Sequence, residues 1–370
     1  MKNNKVALIS DLHFGVRKNN EVFLQSQTRF IIEQFVPYLK ENEIDTIFIL
    51  GDVFDNRSST NTKIMNNVYD IFDEYLREFK IYLIVGNHDC YFNSSIEVNS
   101  LKYLGKFDNV HLVDKIETIT VADKKIVMVP WIVDNIAFIK EFSKIKSDIC
   151  MGHFNIYGFH YNKFKKSDDG INGKLFGKTK QVFTGHFHIR NSQNLFGSEI
   201  IYIGSPYQLT RNDVDENRGF TILDVETSKY EFIDNTSSLI YIKLKFPEKF
   251  TSKKIKNNII DVHIDYDDSY NENKIEKYIK KIEDCIPATT PNIFIDSNSE
   301  LSGEIDLDGC NIGSMIDLIG EYVNSLEIKN KEEIYENLIE LYNEVKGDVL
   351  WLFMWRNNEQ PITNFKLWSI

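Results

Sequence analysis

Short polar blocks that combine aspartate, asparagine and histidine recur between residues 10 and 190, and each follows a run of apolar residues. Five of the eight histidines of the chain fall in these blocks. Carboxylates, an amide and imidazoles together suit two neighbouring divalent transition metals such as Mn, Fe or Zn. Two such metals can clamp a phosphoryl group and activate water for in-line attack, so the sequence predicts a two-metal phosphoesterase. The candidate metal ligands are Asp11, His13, Asp52, Asn87, His153, His186 and His188.

The remaining histidine of the blocks, His88, is a candidate catalytic residue. It adjoins Asn87 and is therefore expected at the rim of the metal pocket. There it would stabilise the pentavalent phosphorane or protonate the leaving oxygen. A neighbouring carboxylate would hold its tautomer. Asp55 is the first candidate for that role, and Asp89 is the second.

The apolar runs before the blocks predict the strands that position them. Helical periodicity from Leu24 to Leu39 and from Ile64 to Leu76 completes a βαβαβ unit with a parallel sheet. Ligands bind at the strand ends of such sheets. Pro37 is expected to end or kink the first helix. The predicted strands before the blocks are Val6–Ile9, Thr46–Leu50, Ile81–Val85, Asp148–Met151 and Gln181–Thr184.

Shorter strands after Asn109 predict a second sheet packed on the first, which the strands before His153 and His186 continue. Its other strands are Val110–Val113, Thr118–Val121, Lys125–Val129, Ile200–Ile203, Phe220–Asp224 and Tyr230–Phe232.

A polar, turn-forming cluster at residues 234–238 predicts a domain boundary. Beyond it, three strands and a helix predict a small α+β module. The helical patterns Ile316–Leu326 and Ile334–Val345 and an apolar, tryptophan-containing tail follow. The second pattern suits either the docking of a partner helix or packing within the chain. We therefore expect domains at residues 1–235, 236–310 and 311–370.

The composition is that of a soluble globular protein, with 42% hydrophobic and 26% charged residues in 370. A strand follows the first five residues directly, and no apolar run approaches the roughly 20 residues of a membrane span, so we expect no signal peptide and no membrane segment. Four scattered cysteines without a CxxC pair predict a reducing compartment, the cytoplasm.

The net charge of −12 argues against a basic surface over the whole molecule, but bound metals would add positive charge where a phosphate sits. Residues 163–180 and 243–256 each contain six lysines. Such clusters are commonly plain solvated surface, yet against this background they favour phosphate contacts. Aromatic residues around His160 either line the same groove or pack. The DNA-binding candidates are Arg57, Lys163, Lys165, Lys166, Lys178, Lys180, Lys253 and Lys254.

The blocks resemble those of the calcineurin-like metallophosphoesterases. More narrowly, the chain is similar to the phage version of SbcD-type nuclease subunits of double-strand-break repair and recombination complexes. The similarity covers about residues 5–235 strongly and the α+β module weakly. It rests on the motifs SDLHFG (10–15), GDVFD (51–55), VGNHD (85–89), VPW (129–131), TGHFH (184–188), YIGSPY (202–207) and RGF (218–220).

This resemblance implies an α/β fold, a four-layer αββα metallophosphoesterase sandwich with the α+β module as a DNA-contacting cap. It also implies C-terminal helices that dock the coiled coil of an SMC-type ATPase similar to SbcC. The sequence leaves the oligomeric state open, a homodimer included. Asp11, His13, Asp52 and His188 would hold one metal, and Asp52, Asn87, His153 and His186 the other, with His88 catalytic. Many cellular relatives carry histidine in place of Asp55, which leaves Asp55 free to orient His88.

The implied function is that of a Mn-dependent DNA nuclease, cutting duplex ends exonucleolytically and single strands endonucleolytically, in DNA repair, recombination and replication. The alternative is a general metallophosphatase or a cyclic-nucleotide phosphodiesterase that acts on small substrates without a partner. A non-enzymatic scaffold on the same fold is disfavoured because every predicted ligand is present.

Overall fold

The computed structural model of this protein describes residues 4–161, 165–266 and 272–297, together with Val323, Lys331, Ile334 and Tyr335. The chain forms two units, Met1–Asn298 and Ser299–Ile370. Of the second unit, the four single residues are described, and each is helical. Most of the predicted C-terminal helices and the whole tryptophan-containing tail therefore lie outside the described residues.

The described residues of the first unit form seventeen strands. They are β1 Lys5–Ile9, β2 Thr46–Ile49, β3 Lys80–Ile84, β4 Cys90–Phe92, β5 Ser95–Asn99, β6 Val110–Val113, β7 Glu117–Val121, β8 Lys124–Val129, β9 Ile149–His153, β10 Gln181–Gly185, β11 Asn191–Leu195, β12 Ser198–Tyr202, β13 Gly219–Asp224, β14 Lys229–Asp234, β15 Tyr241–Lys245, β16 Ile259–Tyr266 and β17 Asn292–Ser297.

In the part of the chain that the structure describes, six α-helical segments and one short turn accompany the strands. The turn is α1 Val16–Asn19, whose residues Arg17, Lys18 and Asn19 have left-handed backbone. The helices are α2 Glu21–Arg29, α3 Val36–Glu41, α4 Thr62–Asp70, α5 Asn135–Phe142, α6 Ser252–Ile255 and α7 Glu272–Glu283. The π-helical segments Phe30–Phe35 and Ile71–Tyr75 continue α2 and α4. None of the described helices combines the length and the apolar character that a membrane crossing requires.

The first sheet has the strand order β14-β13-β1-β2-β3-β6. Strands β1, β2, β3 and β6 are parallel, as the predicted βαβαβ pattern requires, while β13 and β14 are antiparallel to their neighbours. The assignment of β6, β13 and β14 to the second sheet was wrong. The chain returns to pair β13 with the open side of β1, which a strand pattern in sequence does not reveal.

The second sheet has the order β11-β12-β10-β9-β8-β7, with antiparallel strands at its two edges. Its edge strand β11 was not predicted. Four of its five residues are polar, because one side of an edge strand lies open to water.

Side chains on the two faces of each strand enter different cores. In the first sheet, Leu8 and Phe48 point between the sheets, whereas Ala7 and Ile47 face the helices. In the second sheet, Met128 contributes to the core between the sheets. The outer face of this sheet packs on α5 through phenylalanines of that helix. This alternation, with a period of two, builds the predicted helix–sheet–sheet–helix layers.

Of the two outcomes expected at Pro37, an end or a kink, the helix does not end there. The π-helical segment precedes the proline, and the Val36 N–H donates to the carbonyl of Ile31, five residues earlier. The backbone stays helical to Glu41. Because proline lacks an N–H and crowds the preceding turn, the wider turn before it lets the helix continue.

The module after β14 was predicted as α+β, but its strands and helices alternate as β15-α6-β16-α7-β17 and its three strands are all parallel, in the order β15-β16-β17, which is an α/β arrangement. Apolar residues of β15, β16, α6 and α7 form its own core. Several contacts join it to the sandwich. The Arg211 Nε donates to Asp261 Oδ2 at 2.8 Å, the Tyr241 N–H donates to Gln208 Oε1 at 2.7 Å, and the ring of Tyr241 lies 6.1 Å from that of Phe23.

Candidate metal centre

The loops that leave β1, β2 and β3 meet the ends of β9 and β10 at one edge of the sandwich, and these five segments carry all seven candidate metal ligands. Beyond the strands, the first two loops continue to pair. The Asp11 N–H donates to the Gly51 carbonyl and the His13 N–H to the Asp52 carbonyl, both at 3.0 Å. Both sheets therefore contribute ligands to the same place.

Glycines next to the ligands let these loops approach each other closely. A Cβ atom on Gly86 would lie 2.3 Å from Asp52 Oδ1, and one on Gly185 would lie 1.9 Å from Ser10 Oγ. No side chain fits either position. The glycines in the GNH and GH blocks therefore bring the backbone itself up to the ligands.

Four of the ligand residues have left-handed backbone conformations. The φ angles are 54° for Asp11, 43° for His13, 55° for Asp52 and 93° for His186. Non-glycine residues rarely adopt this region, and such strain concentrates at functional sites. The turns aim the side chains away from the strand directions and into a shared space.

The first donor group comprises Asp11, His13 and His188, whose donor atoms all lie within 4.8 Å of one another. The Nε2 atoms of the two histidines are 3.1 Å apart. Oδ1 of Asp11 lies 4.0 Å from one of them and 3.9 Å from the other.

The second group comprises Asp52, His153 and His186, again within 4.8 Å, and Asn87 lies between its two histidines. Oδ1 of Asn87 is 2.9 Å from His153 Nε2 and 2.8 Å from His186 Nδ1. Oδ2 of Asp52 lies 3.3 Å from His153 Nε2 and 3.7 Å from His13 Nε2. Asp52 thus faces both groups.

The chemistry of these donors fits divalent cations. Nδ1 of His153 must carry a proton, because it contacts the Leu50 carbonyl at 2.7 Å and a carbonyl only accepts. In the neutral ring, Nε2 then presents a lone pair to the oxygens of Asn87 and Asp52. Lone pairs that converge without a donor require a proton or a cation between them, and groups of three and four donors suit a metal ion.

The buried rings titrate differently from one another. Burial lowers the pKa of His153, but the Asp52 carboxylate outweighs it and raises that pKa to about 9, so a metal ion would have to displace the second proton of this ring at neutral pH. Burial and the charge on His153 lower the pKa of His186 to about 3. Burial and His13 likewise depress the pKa of His188. His186 and His188 are therefore neutral imidazoles, the form that binds metals.

His88 lies at the rim of this cluster, as predicted, but Asp55 does not orient it through its carboxylate. The His88 N–H donates to Asp52 Oδ1 at 2.8 Å, and its Nδ1 lies 2.6 Å from the main-chain carbonyl of Asp55. The carboxylate of Asp55 turns the other way, with Oδ1 3.4 Å from His13 Nδ1. The carbonyl fixes the tautomer of His88, and the carboxylate orients a metal-ligand candidate.

Asp89, the second candidate to orient His88, has a different role. Its buried carboxylate accepts four backbone hydrogen bonds. Oδ2 accepts from the N–H groups of Asp52 and Gly86 at 2.9 Å each, and Oδ1 accepts from those of Val53 and Phe54 at 3.0 and 3.3 Å. Asp89 therefore holds together the turns that carry Asp52 and Asn87. The sequence signal that could have indicated this role is an acidic residue inside a glycine-containing turn that is expected to be buried.

The basic residues predicted to contact DNA do not all lie near the centre. Lys165 lines a cavity of about 360 Å³ with Tyr161, beside His186 and His188. Lys166 is exposed in the same loop, and Lys163 lies outside the described residues. Of the aromatic residues around His160, Phe159 is buried.

Lys178 and Lys180, two of the DNA-binding candidates, lie away from the centre. Lys180 precedes β10, roughly 17 Å from the end of that strand that carries His186. It lies 3.7 Å from Asp148 Oδ1, and the Nζ of Lys178 donates to the Ser143 carbonyl at 2.9 Å. Lys180 and His186 are close in sequence but are separated by the length of β10.

The other basic candidates occupy two places. Lys253 and Lys254 are on α6 of the cap, where Lys254 pairs with Glu248 and lines a cavity of about 530 Å³ between cap and sandwich. Arg57 is half-buried in the loop after Asp55. Trp131 was not predicted as a site residue, although its ring lies 5.1 Å from that of His186.

Comparison with known proteins agrees with this geometry. Residues 4–190 match the model of the calcineurin-like phosphoesterase family. The chain is 30% identical over 329 residues to exonuclease subunit 1 of Enterobacteria phage T4, covering 87% of this chain and 93% of the relative. It is 26% identical over 257 residues to a subunit of the nuclease SbcCD of Staphylococcus epidermidis, covering 61% of this chain and 67% of the relative.

Replacement of Asp52 by asparagine will weaken metal binding to both donor groups. The amide keeps the shape but removes the charge that faces both groups. Since changes to residues that only support ligands raise the metal dissociation constant 10- to 100-fold, we expect at least about 100-fold for Asp52→Asn. Titration calorimetry with Mn²⁺ measures it. Asp123→Asn, in an exposed turn, is the matched control. Equal affinity in both variants would rule out the shared role.

Replacement of Asp89 by asparagine will destabilise the sandwich. The amide offers one oxygen, so two of the four buried N–H groups lose their acceptor, at about 1–3 kcal/mol each. We expect the free energy of unfolding in urea, measured with EDTA present, to fall by at least about 2 kcal/mol. The exposed Asp114→Asn should leave it unchanged. A similar small effect in both would show that Asp89 does not hold the turns.

Proposed function

The chain belongs to the calcineurin-like phosphoesterase family, and from this premise we propose that it is a Mn²⁺-dependent DNA nuclease. The similarity to a phage exonuclease subunit over 87% of the chain carries the proposal, because a match of that extent includes the cap as well as the sandwich. Small-substrate phosphoesterase activity needs no cap. A DNA duplex, in contrast, is wide enough to contact the cap and the sandwich together.

We propose that Asp11, His13, Asp52 and His188 hold one cation and that Asp52, Asn87, His153 and His186 hold the other. Mixed carboxylate, amide and imidazole donors suit Mn²⁺. When bound, the two cations would activate water and neutralise the phosphoryl oxygens. The protein's contribution is a fixed set of neutral imidazoles and carboxylates whose positions are set by the turns.

His88 is the proposed proton donor to the leaving oxygen. Its Nδ1 carries a proton held by the Asp55 carbonyl, so Nε2 is the nitrogen that gains and loses a proton. The bond from its backbone N–H to Asp52 fixes where the ring stands relative to the centre. The ring is only partly buried and therefore accessible to a substrate at the rim.

Cations on both sides of the centre support a polyanionic substrate. Lys165 and Lys166 lie in the loop beside His186, Arg57 lies in the loop after Asp55, and α6 of the cap carries two more lysines. We propose that they contact phosphates of DNA, which would neutralise backbone charge without reading sequence. Lys178 and Lys180 are excluded from this set.

We propose the division of labour predicted from the sequence: a nuclease domain at 1–235, a cap at 236–310 and partner-docking helices at 311–370. The SbcCD relative is, by its name, one subunit of a nuclease. By analogy, this chain would act as one subunit, and its C-terminal helices would dock an SMC-type ATPase, in the cytoplasm where DNA is available.

The proposal is tested by incubating the purified chain and Mn²⁺ with end-labelled duplex DNA, single-stranded DNA, a cyclic nucleotide and bis(p-nitrophenyl) phosphate. We expect release of nucleotides or fragments from DNA, and loss of that activity with EDTA. Hydrolysis of the small esters with no cleavage of either DNA would overturn the nuclease proposal in favour of a small-substrate phosphoesterase.

Replacement of His88 by alanine will abolish turnover while leaving metal binding intact. Loss of a proton donor typically lowers kcat by 10²–10⁴-fold. Single-turnover cleavage of labelled DNA gives the rate, and Mn²⁺ titration calorimetry gives the affinity. His111→Ala is the control, because His111 is exposed and pairs with Glu117 on another part of the surface. Normal cleavage by His88→Ala would exclude the proposed role.

A further inference from the structure

The β4–β5 hairpin presents two aromatic side chains to solvent next to the candidate catalytic residue. Tyr91 is 50% exposed and Phe92 is 48% exposed. Their ring centroids are 4.7 Å apart in an edge-to-face arrangement. Among the residues that the structure describes, no other pair of contacting rings combines two side chains this exposed. Tyr91 follows His88 by three residues, so their Cα atoms lie within about 11 Å of each other.

The base of the hairpin is fastened to the turn that shapes the metal centre. The Ser100 N–H, just after β5, donates to the Asp89 carbonyl at 2.9 Å. At the start of β4, the Cys90 thiol donates to the Gly86 carbonyl at 3.2 Å. Both ends of the hairpin therefore rest on the residues that place Asp52 and Asn87.

The tip of the hairpin is hydrogen-bonded to an arginine side chain. The guanidinium of Arg57 donates to the side chain of Asn93, which lies in the turn between β4 and β5. Arg57 itself follows Asp55, whose carbonyl holds His88, by two residues. A positive charge and two aromatic faces are thus held side by side at the rim of the centre.

We propose that Tyr91 and Phe92 form a stacking platform for an unpaired base of the strand being cut, with Arg57 contacting a phosphate of that strand. Aromatic faces beside a basic group are how proteins hold single-stranded nucleic acid. In a duplex, stacked neighbours cover the faces of each base, so only an unpaired or terminal base can use the platform. The platform thus favours frayed ends and single strands, and it rests on the proposed nuclease function.

The test measures binding separately from cleavage. Fluorescence anisotropy with a labelled single-stranded oligonucleotide, in EDTA, gives the dissociation constant without turnover. Since stacking on one aromatic side chain contributes severalfold to affinity, the Tyr91→Ala/Phe92→Ala variant should bind at least about fivefold more weakly. Tyr91→Phe keeps the ring and should bind normally. Val98→Ala, equally exposed on β5, should do the same.

An oligonucleotide with a run of abasic residues completes the comparison. The wild-type protein should bind it as weakly as the double variant does, and the double variant should lose nothing further, because the base that stacks is missing. If the double variant binds the intact oligonucleotide as tightly as the wild type does, the platform is overturned. It is also overturned if the double variant binds the abasic oligonucleotide more weakly than the wild type by the same factor as the intact one, because that result would indicate a damaged hairpin.

Light scattering on the same samples tests the alternative that a second copy of the chain covers this surface. A wild-type dimer that the double variant converts to monomer would assign the aromatic pair to a contact between two copies of the chain and overturn the platform. If the wild-type protein binds the abasic oligonucleotide weakly but cleaves no DNA, the platform is supported and the nuclease proposal is refuted.

Discussion

A single buried carboxylate, that of Asp89, determines the shape of the candidate centre. Its two oxygens accept four backbone N–H groups from the turn after β2 and the turn after β3. Without that anion, four buried donors would lie unsatisfied beside a second carboxylate, that of Asp52. The main chain of the same residue anchors the β4–β5 hairpin. One side chain thus fixes the position of a shared ligand, and its backbone fixes the aromatic surface next to it.

The hydrogen bonds of Asp89 help to hold the strained turns that carry the candidate metal ligands. Each non-glycine residue in a left-handed conformation costs on the order of 1–3 kcal/mol. The paired loops after β1 and β2 offset part of that cost through hydrogen bonds that continue the sheet past its strands. Small residues such as Gly86 and Gly185 allow the backbones to come within contact distance. These hydrogen bonds and close approaches together set the positions of the donors.

Much of this arrangement follows from patterns in the sequence. Apolar runs located the strands before each ligand block, and the rule that parallel strands end at one edge predicted that the blocks meet. The errors have physical causes. A main-chain carbonyl orients His88, and side-chain identity carries no information about such a partner. The strand β10 separates Lys180 from His186, although the two lie close in sequence. The sheet to which β13 belongs depends on a long-range pairing with β1.

The candidate centre draws its donors from two sheets that share an apolar core. Asp11, Asp52 and Asn87 follow strands of one sheet, while His153 and His186 belong to the other. Cations bound among them would act as cross-links between the halves of the sandwich, so the free energy of metal binding would add to that of keeping the layers together. Removal of the cations would then lower the free energy of unfolding of the sandwich as a whole, even though the centre occupies one edge of it.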